Sequence, residues 1–364
     1  PTFGMLLMLQ MTRDTIQVPA SFRRGLLQRC VLAALCGVPV VAAAASADAS
    51  DEPASVLATV TVEAAAQPQQ ALVGKSEQDL REIPQSVTVI SRERMEKQAL
   101  KTLDDVMLQA TGVTREQLWL NNNYTSRGLK IENIRYDGGS ASSMQDRSNN
   151  ADMAQYESVA LLRGADGLFG AGEAGGVINL VSKRPQAERR DSLTLSAGSW
   201  NNYRVETDLT GALNADKSIR GRAVTVFHDQ DLFHEPSHNR RGMVYGALEF
   251  DLAPQTVLFT GASYQKDKLD AFNASLPRWE DGKDIGFSRS TTMGAPWGWI
   301  DRESLSAFAI LQHQINADWK LVTSYQLMNV DQAGDLFYVY VSAPNGIDPK
   351  TGLGTTGYGS FYGK

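Results

Sequence analysis

Tyr203-Arg204-Val205-Glu206-Thr207-Asp208-Leu209-Thr210-Gly211-Ala212-Leu213 is the stretch whose reading decides the fold. Drawn out as an extended chain, it puts Tyr203, Val205, Leu209 and Leu213 on one face and Arg204, Glu206, Asp208 and Thr210 on the other. A period of two with one apolar face marks a strand half buried in something greasy. The same pattern returns downstream. Val244, Leu248, Phe250 and Leu252 oppose Arg241, Glu249 and Asp251, and Trp319, Leu321, Tyr325 and Leu327 oppose Lys320, Ser324 and Gln326. Across 191–364 the pattern predicts about seven such strands. Their connections alternate in length. Asn214-Ala215-Asp216, Ala253-Pro254 and Asn316-Ala317-Asp318 are tight turns, whereas Asp229 to Asn239, Asp270 to Arg302 and Asp331 onward are long. Short turns at one end and long loops at the other are the habit of bacterial outer-membrane barrels. A soluble sandwich gives its two ends no reason to differ. The mean hydropathy of −0.27 does not oppose this, because only every second residue of a barrel strand faces lipid.

The N-terminal part supports export. Arg23, Arg24 and Arg29 precede an apolar run from Cys30 to Ala45, and Ala45-Ser46-Ala47 has the small-residue pattern of a cleavage site. Residues 1–47 are therefore expected to be a signal peptide with an N-terminal extension; Ala47-Asp48-Ala49 is a second possible site. The chain starts at Pro1 rather than Met, which predicts a translated fragment with Met5, Met8 or Met11 as possible starts. Both cysteines, Cys30 and Cys36, lie in this signal. The mature stretch then offers no disulfide, iron–sulfur cluster, cysteine zinc site or thiol nucleophile. A formal charge of −6 with no basic stripe argues against nucleic acid as a partner.

Residues 48–79, rich in Ala, Gln, Val and acidic groups, read as a mobile tail. Within it, Leu57-Ala58-Thr59-Val60-Thr61-Val62-Glu63 is β-prone and suited to adding a strand to a partner's sheet edge, with an ordinary edge strand of the next domain as the lesser alternative. Residues 80–185 read as a compact α/β domain. Ser86 to Ile90 is a strand by β-branching. Leu103, Val106, Met107 and Ala110 recur at helical spacing, with Asp104 and Asp105 near the helix start and Gly112 at its end. Val159 to Leu162 and Val177 to Val181 are further strands.

Two motif matches mislead. Gly170, Gly172 and Gly175 satisfy the dinucleotide fingerprint, but Val177 to Val181 after them is a strand where that motif needs a helix. His234-Glu235-Pro236-Ser237-His238 satisfies the zinc-protease motif, but Pro236 breaks the helix that would bring both imidazoles together. No nucleophile–base pair has a catalytic setting. The expectation is a protein that is not an enzyme, with no catalytic residue, no metal ligands and no resident cofactor.

In their order these pieces resemble the TonB-dependent siderophore receptors. Leu57 to Glu63 is similar to a TonB box. Glu82 to Ile90 is similar to the first strand of the family's plug domain, Tyr124-Thr125-Ser126-Arg127-Gly128-Leu129 and Tyr136-Asp137-Gly138 to internal plug elements, and Tyr156 to Gly164 with Gly175 to Pro185 to the plug's closing signature. Leu129, Ala160 and Ala165 depart from the usual Phe, Glu and Pro. The resemblance implies a plug domain at 80–185 and, at 191–364, the N-terminal third of a transmembrane antiparallel barrel of about 22 strands. It implies a receptor in the outer membrane of a Gram-negative bacterium, surrounded by lipid, that binds a ferric siderophore and is driven by TonB acting on the box in the periplasm. Iron would enter already chelated, as cargo. The loops bearing Leu276-Pro277, Asp281-Gly282 and Trp297 to Trp299 are similar to those of hydroxamate or pyoverdine-type receptors. Cobalamin, haem or another large solute is the alternative cargo, and a soluble periplasmic β-domain the alternative class. By the same resemblance Leu57, Ala58, Thr59, Val60, Thr61 and Val62 would bind TonB, and Arg127 and Arg163 would lock plug to barrel through wall glutamates beyond Lys364. Arg115, Trp119, Tyr124, Met144, Arg147 and Trp297 are candidates for cargo binding, helped by Trp279 and Trp299.

Overall fold

The structure, a computed structural model, describes residues 70–72, 77–118, 121–139, 142–143, 151–164, 174–271, 276–339, 347–348, 350 and 356–363. The segment 57–63 and residues Trp119, Met144 and Arg147 lie outside them. A short antiparallel hairpin, β1 (Gln70–Leu72) with β2 (Glu77–Asp79), precedes the α/β domain. The stretch 48–79 is thus not wholly unstructured as its composition suggests, because its last residues find each other as strand partners.

The α/β domain begins with β3 (Ser86–Ser91) and runs directly into α1 (Arg92–Lys97), where the Ser91 hydroxyl accepts from Arg94 N–H. The second helix, α2 (Leu103–Leu108), starts in a capping box. Thr102 accepts from Asp105 N–H, and Asp105 accepts from Thr102 N–H. Its turns bury Leu103, Val106 and Met107, as the spacing predicts, but it closes at Leu108 and not at Gly112. Three strands then form a meander, β4 (Val113–Leu118), β5 (Asn121–Ser126) and β6 (Leu129–Ile131). A second sheet takes β7 (Asn133–Tyr136), β8 (Ser142–Ser143), β9 (Tyr156–Arg163) and β10 (Val177–Ser182) beside β3, in the order β3-β9-β10-β7-β8. Within it β10 runs parallel to β7. Strands β9 and β10 are apolar on both faces because the domain's cores lie on both. Ile90, Met95, Leu103, Val159, Leu161, Ile178 and Leu180 fill one side, and Val89, Ala160, Leu162 and Val177 the other.

The rest is one antiparallel sheet in chain order: β11 (Arg190–Gly198), β12 (Asn202–Ala212), β13 (Ile219–Asp231), β14 (His238–Ala253), β15 (Thr256–Asp270), β16 (Trp299–Gln314), β17 (Lys320–Val339) and β18 (Thr356–Gly363). Eight strands stand where the alternation predicted about seven, among the described residues. The added length lies beyond Asp331, which the sequence presents as loop. Ala333 and Gly334 carry no apolar signal there, yet they pair with Asp301 and Ile300 on one side and Tyr362 and Phe361 on the other. Neighbouring strands supply what local propensity does not. Asp229 to Asp231 and His238 to Asn239 are likewise strand, paired to each other. Both long connections, 271–298 and 340–355, lie at one end, together with the shorter 199–201 and 232–237, and the other end carries the tight turns 213–218, 254–255 and 315–319.

The sheet's two faces differ as a membrane wall requires. Leu195, Val205, Leu209, Val244, Leu248 and Leu327 are exposed on one face. Arg204, Asp208, His228, Arg241, Gln265 and Asp267 are buried on the other, against the α/β domain. No helix among the described residues is long and apolar enough to cross a membrane.

Candidate functional site

The buried face of the sheet is where the chain's two halves meet, and charge dominates the contact. Asp152 is fully buried at the start of a 3-10 turn, Met153–Gln155. Both its oxygens accept from the Arg204 guanidinium of β12 at 2.8 Å, a bidentate fork. Arg241 of β14 approaches the same carboxylate at 3.5 Å and binds Asp267 of β15 at 2.5 Å. The Asp152 backbone N–H donates to the Gln265 side chain at 3.0 Å. Burial alone would raise the Asp152 carboxyl, but the Arg204 fork and the Arg241 charge outweigh it and hold it below the usual carboxylate range. Beside this contact the small Ala154 packs among Val224, Val226, Met243 and Tyr245 of the wall.

A second group of contacts lies toward the tight-turn end. The Lys183 ammonium meets Asp208 at 2.7 Å, and Asp208 is shared with Arg222. Burial lowers the Lys183 ammonium even against that partner. Arg184 pairs with Glu249 at 2.7 Å and lies 4.5 Å over the Phe259 ring. Main-chain groups join in: the Tyr245 hydroxyl donates to the Lys183 carbonyl at 2.7 Å, and Gln186 N–H to the Thr210 hydroxyl at 2.8 Å. Inside the α/β domain, the Asp137 carboxylate accepts from the Ser182 N–H and hydroxyl at 2.7 Å each, which fixes the end of β10 just before Lys183.

The residues singled out from sequence fall in different places. Arg127 is exposed in the two-residue turn between β5 and β6, at φ +54°, and has no ion pair among the described residues. Arg163 points inward and donates to the Thr88 hydroxyl. Tyr124 departs from expectation. It is wholly buried in the α/β core with its hydroxyl donating to Asp104, so it packs the domain and does not face a cargo. Burial raises the Asp104 carboxyl despite the Tyr124 hydrogen bond and the Arg115 charge. Arg115 is exposed and lies 3.4 Å from Asp104. Trp297 is 56% exposed in the connection 271–298. There Trp279 bridges Ile347 of the next long connection: Ile347 N–H donates to the Arg278 carbonyl at 2.9 Å and Glu280 N–H to the Ile347 carbonyl at 3.1 Å. Glu235 N–H donates to the Ser290 carbonyl at 2.9 Å.

His234 and His238 do not converge. His234 binds Ser237, and His238 binds Asp231 and Asp229. No metal-holding cluster occurs among the described residues. Sequence reasoning missed Asp152, Lys183 and Arg184 as contact residues. Lys183 and Arg184 sat in the quoted closing signature, but Asp152 lies in an aperiodic stretch with no signal of its own.

Residues 79–177 match the TonB-dependent receptor plug domain family. The chain is 36% identical over 299 residues to the ferric-pyoverdine M114 receptor PbuA of Pseudomonas sp. (strain M114), covering 80% of this chain and 36% of that protein. It is 39% identical over 248 residues to the ferripyoverdine receptor of Pseudomonas aeruginosa, covering 66% of this chain and 30% of that one. The solved pyoverdine outer membrane receptor FpvA from Pseudomonas aeruginosa PAO1, bound to pyoverdine, superposes with a TM-score of 0.69 at 34% identity, over 76% of this chain and 42% of that one. The chain spans about a third of the length of the curated relatives it matches.

Proposed function

The chain belongs to the TonB-dependent receptors, and on that premise we propose that it forms the plug and opening wall of an outer-membrane receptor that imports a ferric siderophore of the pyoverdine class. One observation carries the reading. An α/β plug is fastened by Asp152, Lys183 and Arg184 to the polar face of a long-stranded sheet whose other face is apolar. A plug held inside a lipid-facing wall has to be moved for a large solute to pass. TonB, reaching Leu57 to Val62 in the periplasm as an added strand, would supply that movement. Iron arrives chelated, so the protein contributes groups for the organic shell of the complex and no resident cofactor. Arg115 and Trp297 are exposed and suited to that, with Trp119, Met144 and Arg147 as further candidates. Arg127 and Arg163 are assigned to hold the plug through wall carboxylates outside this chain.

The test is growth and radioiron uptake in an iron-starved Gram-negative host that lacks its own receptors, with ferric pyoverdine, ferric hydroxamate or haem as the only iron source, and uptake of radiolabelled cobalamin measured separately. TonB-dependent uptake from ferric pyoverdine is expected. Uptake of haem or cobalamin alone would assign the other cargo.

A further inference from the structure

Asp152 sits as a ligand sits in a site. Its two oxygens receive the Arg204 fork at 2.8 Å each, Arg241 stands at 3.5 Å, and it is the plug's one carboxylate in a set otherwise built by the wall, among the described residues. The wall supplies partners of its own to the same two guanidiniums: Glu206 lies 3.0 Å from Arg204 and Asp267 2.5 Å from Arg241, and Asp152 completes the set from the plug side. A planar guanidinium presented to two oxygens in a dry setting selects carboxylates by shape as well as charge.

We propose that Arg204 and Arg241 form a carboxylate-binding site on the barrel wall, and that Asp152 occupies it as the latch holding the plug. This rests on the plug-and-wall reading above, but not on its cargo. The contact is placed for a latch. Asp152 caps the 3-10 turn through Ala154 N–H at 2.9 Å and bridges Thr102 at the head of α2, so a pull on the plug core reaches this carboxylate directly. Removing one partner from a buried bidentate pair changes the equilibrium by on the order of 100-fold or more.

Ala154, buried between plug and wall, gives a reporter. In the receptor assembled in outer membranes and otherwise free of cysteine, Ala154→Cys is labelled with a bulky maleimide. Asp152→Asn and Asp152→Gly are expected to speed labelling by about 100-fold. Sodium acetate, but not acetamide, should slow labelling of the Asp152→Gly receptor back toward the parent rate, because only the anion refills the site. Parent-rate labelling of Asp152→Asn, or equal effects of acetate and acetamide, would overturn the proposal. If Asp152→Asn does not assemble, Arg204→Lys carries the test: it keeps the charge, loses the fork and should label about tenfold faster, and a parent rate there would likewise overturn it. Labelling needs neither cargo nor TonB, so a receptor that shows this pattern but takes up no siderophore refutes the functional reading alone.

Discussion

Asp104 and Asp152 are both removed from water and are shifted in opposite directions. Asp152 has two guanidinium partners, and its folded-state pKa lies below the ordinary 3.8. Its contribution to stability is therefore present above pH 3.8 and is lost as the pH falls from there through the folded value. Asp104 has a raised pKa, so the plug binds its proton more tightly than the unfolded chain does. That contribution grows as the pH falls through the raised value to 3.8. Denaturant melts of the receptor from pH 6 down to about 2.5 should show the Asp152 loss below 3.8, and Asp152→Asn should erase that limb. An unchanged acid limb in the variant would separate Asp152 from acid stability. Tyr124→Phe removes one donor from the buried Asp104 and should lower stability by about 1 kcal/mol while leaving cargo affinity unchanged. A fall in affinity without a fall in stability would return Tyr124 to the cargo surface. Alternation alone put Arg204 with Asp208, and Arg241 with Glu249, on the polar side of their own strands, because a period of two fixes sides. It could not show which of them a plug residue would meet, since that depends on contacts between residues 25 or more positions apart.

At the scale of elements, β10 depends on two glycines at its entry. A Cβ on Gly175 would stand 1.8 Å from the Lys130 carbonyl oxygen. Gly176 combines φ +111° with a Cβ position 2.2 Å from the Leu162 carbonyl oxygen. Both obstacles are backbone, which cannot swing aside as a side chain can. Gly175→Ala should cost about 3 kcal/mol or more and make the plug protease-sensitive. A protease-resistant plug in that variant would show that β6 can move away. The glycine cluster was plain in the sequence, and so was the strand that follows it. The reason for the glycines was not, because the residues they touch belong to β6 and β9. The strands' apolar face gives a second test. Val244 lies on the exposed face of β14 beside Leu248, so Val244→Arg should cost about 2–4 kcal/mol at mid-bilayer depth, read by urea titration of folding into vesicles. A cost near zero would mean that this face does not meet lipid. The TonB segment, outside the described residues, is tested by Val60→Pro. Proline removes a ladder N–H, and uptake should fail with surface binding intact.

For the whole molecule, the plug and the wall differ in how self-sufficient they are. The plug closes its own cores, with Ile90, Met95, Leu103, Leu161 and Ile178 on one side of its sheet and Val89, Leu162 and Val177 on the other. Residues 77–186 made alone should be soluble, with a cooperative thermal transition; an aggregated or unstructured product would show that the wall completes the plug's fold. Composition and periodicity made both halves legible, whereas the contact between halves depends on residues far apart in the sequence. The outer connections differ in kind again. Trp279 and Ile347 are joined through main-chain groups, as are Glu235 and Ser290. Main-chain bonds do not depend on which side chains hang from them. On the function proposed for the chain, a lineage whose iron carrier changes its chemistry can therefore rewrite the side chains of Arg278, Trp279 and Glu280 one at a time while the rim keeps its shape, so new diets can evolve on an old doorway.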